Sequence, residues 1–337
     1  PTRRWPVALC QNIHCAAPVM SVRPDQRVKT AITWLAFYGA AAGTLLALFS
    51  SVNWFAELFS HFRLYYLLAQ SLLLLTFLYS RRFSLMAITV LLALPNLWYV
   101  GPYLSPLVSA GSESSFDDPA GAVASINLNY RNHEHTMALE YIRNTRPDVI
   151  VWLEYTPRWD AALEALHGEY PFRVIRPQNG PFGMAIYSRT PLSAVRDLPL
   201  ARDGSANLAA EVELAGRRYT LFGLHLQPPV SGGQAAIRAA QLTELAGLLS
   251  DATPPVMAVG DLNLTPFSPW FHRLLDGAGL RDARRPQGLH VTWPTGSVPL
   301  WIPIDHCLTD ASVDVTDVRA GPDIGSDHYP LEVALGR

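Results

Sequence analysis

Three long stretches without a charged side chain fill most of residues 31 to 103, and any fold must find a place for them. Ala31 to Val52 carries no Asp, Glu, Lys or Arg. At about 1.5 Å of rise per residue, such a run crosses a hydrocarbon core roughly 30 Å thick as one helix. Leu64 to Ser80 is shorter and bracketed by Arg63 and Arg81, whose apolar stems let the charges reach an interface. The third run, Phe83 to about Tyr103, contains Pro95 and Asn96, a kink that membrane helices tolerate. Trp34, Trp54, Trp98, Tyr99 and Tyr103 stand near the ends, where aromatic belts form. A buried hairpin in a soluble domain would not need three such runs, so residues 30–103 are expected to form three transmembrane helices.

Basic residues set the expected orientation. Arg3, Arg4, Arg23, Arg27 and Lys29 precede the first run, and Arg81 and Arg82 separate the second from the third. Between the first and second runs stands Arg63, with Glu57 opposing it. Residues 104–120 have no Lys or Arg and carry Glu113, Asp117 and Asp118. Segments rich in Lys and Arg stay in the cytoplasm. The expected order is a cytoplasmic tail (1–29), the membrane region (30–103), a flexible linker (104–120) and a domain (121–337) on the periplasmic or extracellular side of a bacterial plasma membrane. No short apolar core with a small-residue cleavage site follows the tail promptly, which argues against a cleaved leader.

Cysteine offers little. Cys10 and Cys15 have no second pair to complete a zinc knuckle, and no disulfide framework exists. Cys307 lies in an apolar strand and reads as a small core residue.

From Gly121 the pattern becomes short apolar strands, expected at 123–128, 148–153, 172–175, 184–187, 209–214, 219–224, 256–259, around 301–308 and 331–335. Helices are expected at 133–144, 160–166, 235–249 and 269–275. Loose alternation with hairpins points to a mixed α/β sandwich rather than a purely parallel sheet.

Polar residues collect where these strands end. Val256 to Val259 is an apolar run, Gly260 breaks it, and Asp261 and Asn263 follow two residues apart. Alternate residues leave a strand on the same side, so this carboxylate and amide enter one cleft. Asn127, Glu154, His225, Asp305, Asp327 and His328 occupy comparable positions. Only 16% of the chain is charged, and buried carboxylates are costly unless paired or bound to a cation. Glu, Asp and Asn oxygens suit a hard divalent ion, Mg²⁺ or alternatively Mn²⁺. Histidines beside them donate protons near neutral pH.

Val-Ile-Val-Trp-Leu-Glu154, Gly-Asp261-Leu-Asn263, Ile-Asp305-His and Gly-Ser-Asp327-His328-Tyr-Pro, with Ser-Ile-Asn127 and Gly-Leu-His225-Leu, resemble the signature blocks of the exonuclease–endonuclease–phosphatase superfamily. The resemblance covers about residues 121–336 and spans its deoxyribonuclease and sphingomyelinase branches. It implies a four-layer αββα sandwich and Mg²⁺-dependent hydrolysis of phosphoesters. It further implies that Glu154 binds the metal, with Asn127 beside it and Asp327 in support. Asp261 would orient or activate the attacking water, and Asn263 would hold a phosphate oxygen. His328 would bind or protonate the phosphate, with Asp305 fixing its tautomer. His225 matches a histidine of the deoxyribonuclease and sphingomyelinase branches, and its acidic partner has no evident position.

Other signals are weaker. His133 and His135 look like a metal-binding pair, although the opening of a surface helix explains them better. Arg238 and Gln241 stand three apart on a helix, as a family pair or as a solvated face. Thr292-Trp293-Pro294 resembles a loop near the substrate, with a core tryptophan as the rival reading of Trp293. Asn179 and the loop to Gly183 are candidates for substrate contact, and His272 and His306 read as structural.

The domain from residue 121 has 18 Arg against 23 Asp plus Glu, a net of −5, and so lacks the basic excess of a typical nucleic-acid binder. A metal and a few arginines can still hold a nucleic acid, and phospholipid head groups are phosphodiesters within reach of an anchored domain. Nuclease-type activity is marginally preferred, with head-group hydrolysis as the alternative. A non-catalytic membrane scaffold would require a lost metal or water residue, and none of the eight positions is lost.

Overall fold

The N-terminal helices turn apolar faces outward and polar groups inward in the computed structural model, which describes residues 24–104 and 119–336. Helix α1 (Pro24–Leu48) packs with α3 (Arg63–Tyr79) and α4 (Phe83–Val100), and the short α2 (Trp54–Ser60) meets α3 at a bend of 56°. Gln26–Leu48 and Phe83–Tyr103 are long and apolar enough to cross a membrane, and the bent α2–α3 pair makes a third if it counts as one span. Leu35, Leu72, Leu91 and Trp98 are exposed on the outside. Inside, Asn96 Nδ2 donates to Thr44 Oγ1 (2.8 Å) and Gln70 Oε1 (3.1 Å).

Arg63, expected to extend toward an interface, is buried instead. It donates to the Ala47 carbonyl (2.9 Å) and Asn96 Oδ1 (3.3 Å) and lies 4.3 Å from the centre of the Tyr99 ring. Acceptors inside the bundle replace the water it would otherwise seek. Pro95 does not interrupt α4. Arg3, Arg4, Arg23, Cys10 and Cys15 of the tail, and Glu113, Asp117 and Asp118 of the linker, lie outside the described residues.

Two six-stranded sheets form the rest. One has β1 (Gly121–Asn127), β2 (Val149–Leu153), β3 (Phe172–Arg176), β4 (Met184–Ser188), β11 (Val315–Ala320) and β12 (Leu331–Leu335), in the order β11-β12-β1-β2-β4-β3. The other has β5 (Leu192–Asp197), β6 (Leu208–Leu214), β7 (Arg217–His225), β8 (Val256–Asp261), β9 (Arg281–Asp282) and β10 (Asp305–Thr309), in the order β5-β6-β7-β8-β10-β9. Val123, Val151, Met184 and Ile186 of the first interleave with Leu221, Met257, Val259 and Cys307 of the second. Helices α5 (His135–Thr145) and α6 (Pro157–Ala162) cover the outer face of one sheet, and α7 (Gly232–Ser250) and α8 (Pro269–Ala278) that of the other. This is the expected mixed α/β sandwich of four layers. Strands buried on both faces read as continuous apolar runs, which is why β1, β2, β4 and β8 are visible in the sequence.

Three strands escape the sequence reading. The bulged edge strand β5 is mostly exposed, β11 is a half-buried edge, and β9 has two residues, so none shows an apolar run. Residues 301–304 fall outside the strand expected there, apart from a single bridge between Ile302 and Trp293. Pro303 has no N–H to give a ladder.

Candidate active site

Both sheets bring polar residues to the same end. Asn127 ends β1, and the parallel β2 places Glu154 one residue beyond its own end. In the second sheet His225 of β7 and Asp305 of β10 both lie opposite Asp261 of β8, so three strands present three titratable groups side by side. Asp327 and His328 arrive on the segment before β12.

The backbone bends to make this possible. Glu154 and Asn263 are non-glycine residues with φ of 57° and 51°, a conformation that costs about 1–3 kcal/mol and gathers at functional sites. Gly260 has φ 142°, and a Cβ there would sit 1.9 Å from the Leu224 carbonyl oxygen. Gly260→Ala is therefore expected to destabilise the protein by at least ~2–3 kcal/mol, seen as a lower Tm in detergent. A variant that melts with wild type would refute this account of the β8 turn.

Glu154 Oε2 accepts from the Tyr130 N–H (2.9 Å), and Asn127 Nδ2 donates to Glu154 Oε1 (3.2 Å). Burial raises the Glu154 carboxyl above its ordinary range against these hydrogen bonds. Asp261 Oδ1 accepts from the Asn263 N–H (2.8 Å), while Oδ2 lies 3.7 Å from His328 Nε2 and 3.8 Å from His225 Nε2. Burial, with the nearby Asp305 carboxylate, pushes the Asp261 carboxyl up to about 8. His328 Nδ1 donates to Asp305 Oδ2 at 2.9 Å. Burial works against the His328 imidazolium, but Asp305, Asp261 and Asp327 outweigh it and hold its pKa up to about 10. Burial, then the charge on His328, pushes His225 down to about 4, so His225 is neutral at physiological pH.

Asp261, Asp305 and His328 can offer ligand atoms within 4.8 Å of one another. Because Nδ1 of His328 is committed to Asp305, the trio is better described as an imidazolium–carboxylate pair facing a second carboxylate. Next to His328 in the chain, Asp327 Oδ2 accepts from Trp293 Nε1 (3.2 Å), whereas Oδ1 is buried without a partner. Trp293 is half-buried, its ring 6.5 Å from that of His328.

Asn263 is half-buried, and its Nδ2 donates to the Leu226 carbonyl (2.8 Å). Asn179 is exposed on the loop between β3 and β4, and Phe182 of that loop packs on the His225 ring (5.5 Å). His133 and His135 do not pair. His133 contacts Arg158 Nη1 at 3.3 Å, and His135 packs 4.4 Å from Trp159. Arg238 and Gln241 are buried, which removes the solvated-face reading: Gln241 accepts from the Gln227 N–H (2.9 Å), and Arg238 donates to the Asn263 carbonyl (2.5 Å).

Sequence reasoning passes over three supports. Ser326 Oγ donates to the Asn127 carbonyl (2.7 Å) and accepts from the His328 N–H (3.1 Å), tying the segment before β12 to the end of β1 in the same sheet. Thr292 Oγ1 accepts from the Asp305 N–H (3.2 Å), and Asn207 Oδ1 from the His225 N–H (2.8 Å). Ser326 and Thr292 stand inside the quoted motifs, but a hydroxyl that bonds backbone leaves no pattern of its own.

A family model described as "Endonuclease/Exonuclease/phosphatase family" matches residues 124–328. The chain belongs to this family. The match begins within β1 and ends at His328, so it takes in every polar strand end described above. Hydrolysis of phosphoester bonds is the activity of the family's enzymes. Among solved structures, D. rerio TDP2 complexed with single strand DNA product is 19% identical, with a TM-score of 0.55, over 64% of this chain and 98% of that chain. The 3'-5' exonuclease NExo from Neisseria meningitidis is 21% identical, with a TM-score of 0.53, over 64% of this chain and all (100%) of that chain. At these identities the likeness establishes the fold. No curated protein matches the chain.

Proposed function

We propose that the chain is a membrane-anchored, divalent-metal-dependent phosphodiesterase, with residues 30–103 as the membrane part and 121–337 as the catalytic domain. One observation carries this reading: three carboxylates and a charged His–Asp pair share one cleft at the common end of both sheets, with Asp327 Oδ1 buried and unpartnered. Such a surplus of buried negative charge calls for a cation. Asn127, Glu154 and Asp327 would hold Mg²⁺ or Mn²⁺, and their oxygens are the donors these ions take. When bound, the ion supplies positive charge against the phosphate oxygens.

The remaining groups divide the reaction among them. Asp261 orients the attacking water and accepts its proton as the new P–O bond forms. The leaving oxygen departs from the opposite side with the electron pair of the broken P–O bond and takes its proton from solvent. The His328 imidazolium, held charged by Asp305, is the acid facing the phosphate. Asn263 presents its amide to a phosphate oxygen, and Trp293 and Asn179 border the substrate path. Neutral His225 supplies a hydrogen bond rather than a charge. A non-catalytic scaffold would have no use for this arrangement.

Nuclease-type hydrolysis remains the first reading. A specific contact favours phospholipid head groups as the second. Tyr65 of α3 donates to the carbonyls of Trp301 (2.8 Å) and Val298 (3.2 Å), on the segment that begins at Trp293. Val298 and Leu300 are exposed apolar residues of that segment. The cleft therefore opens beside the bundle. The same docking supports the three-span topology, since the α2–α3 elbow and Tyr103 meet the catalytic domain while Arg81 and Arg82 turn at the other end of α3.

Full-length protein in detergent, given Mg²⁺ and either plasmid DNA or mixed phospholipid vesicles, is expected to release product that EDTA and Glu154→Ala each abolish. DNA cleavage makes it a tethered nuclease, and head-group release without DNA cleavage makes it a lipid phosphodiesterase. Activity that survives both EDTA and the substitution refutes the reading.

A further inference from the structure

The loop after β8 is gripped from behind by the N-terminal bundle. Arg238, which holds the Asn263 carbonyl through Nη1, donates through Nη2 to Glu57 Oε2, and both side chains are buried. Glu57 Oε1 accepts from Ser268 Oγ at 2.8 Å. One turn along, His61 Nδ1 accepts from the Thr265 N–H (3.4 Å) and lies 3.1 Å from Thr265 Oγ1. Glu57 is on α2, and His61 is in the bend before α3. Together they reach Asn263, Thr265 and Ser268, the segment that continues from Asp261. The Asn263 peptide links the two ends of this chain of contacts, with its N–H on Asp261 Oδ1 and its carbonyl on Arg238.

We propose that Glu57 and His61 are positioning residues for the active-site loop, so that the bundle completes the catalytic domain as well as anchoring it. The kinetic part of this proposal rests on the phosphodiesterase reading above. A buried guanidinium keeps its place only while a carboxylate answers it. Without Glu57, Arg238 swings toward water and releases the Asn263 carbonyl, and Asp261 loses the N–H that aims it. His61 fixes the next turn of the same loop, and its contacts bind no substrate.

The test uses full-length protein in detergent. Glu57→Ala and His61→Ala are expected to lower kcat for a simple phosphodiester, bis-p-nitrophenyl phosphate, by ten-fold or more, with KM within two-fold of wild type. Glu57→Gln keeps an acceptor for Arg238 and is expected to recover most of the rate. Backbone amides of residues 263–268 exchange with deuterium at least ten-fold faster in the Ala variants. Tyr103→Phe removes a different docking hydrogen bond, to Asp282 Oδ2 (3.0 Å), and is expected to leave rate and exchange unchanged. Wild-type kcat and loop protection in the Ala variants overturn the proposal, as does equal loosening in Tyr103→Phe. If wild type hydrolyses no phosphodiester, the functional reading fails by itself and the exchange result alone decides. If Glu57→Ala does not fold, the uncharged pair Glu57→Leu with Arg238→Met replaces it, and wild-type protection of residues 263–268 in that variant overturns the proposal.

Discussion

Asp261→Asn is expected to lower kcat for phosphodiester hydrolysis by ~10²–10⁴-fold, the range that a positioned general base supplies. The same change is expected to stabilise the metal-free protein. Burial, with Asp305 nearby, pushes this carboxyl up to about 8. An Asp whose folded pKa lies above its unfolded value costs stability wherever the unfolded chain is ionised and the folded one resists ionisation. The cost is absent below about pH 4, grows as pH rises toward 8, and is constant above that. An uncharged isostere removes it, so the gain in Tm over wild type widens between those limits. Loss of activity with gain of stability separates a functional carboxylate from a structural one. An Asn variant that is fully active, or less stable at pH 8, would refute the assignment.

The second large effect belongs to the His–Asp pair. His328→Ala is expected to cost ~10²–10⁴-fold in kcat. Asp305→Asn tests the electrostatics more sharply. In wild type the imidazolium persists up to about 10, chiefly because Asp305 opposes the burial penalty. Removing that charge lowers the His328 pKa, so the alkaline limb of the rate profile moves to lower pH. Stability follows the same sign. The folded pKa of His328 lies above its unfolded value, so its contribution is complete below about pH 6.5 and is lost as pH rises through about 10. Asp305 is the reverse case. His328 holds its carboxyl below the ordinary range in spite of burial, and that contribution is lost only in acid. An Asp305→Asn enzyme with an unmoved alkaline limb would show that His328 is not the acid.

The strand ends were legible because chemistry placed polar residues where apolar runs stop. Asn127, Glu154, Asp261 and Asp305 each follow or open such a run, and the register of β7, β8 and β10 brings the last two beside His225. For His225 the sequence shows no acidic partner, and in the structure the carboxylate nearest its Nε2, Asp261, lies 3.8 Å away, beyond hydrogen-bond reach. Asn179 has no pattern behind it beyond a loop. Edge strands β5 and β11 lack the two-sided burial that makes a strand readable. In the sequence Glu57 stands against Arg63 only because they are neighbours in the chain. Its true partner, Arg238, is 181 residues away, and no local pattern encodes that distance.

The register that gathers the polar strand ends also gives the domain a blank pole. β7 runs from Arg217 to His225, so the Ala215–Gly216 turn lies a full strand away from the cleft, on the order of 25 Å at about 3.3 Å per residue. The residues after Thr309 leave β10 at that same remote end. The bundle contacts at Thr265, Ser268 and Trp301 approach from the opposite side, and Tyr103 reaches Asp282 on the strand beside β10. On the membrane-anchored reading proposed above, a dye, an affinity handle or a whole inserted domain at Gly216 would ride at the end of the domain remote from the cleft, and its height over the bilayer would gauge how upright the domain stands.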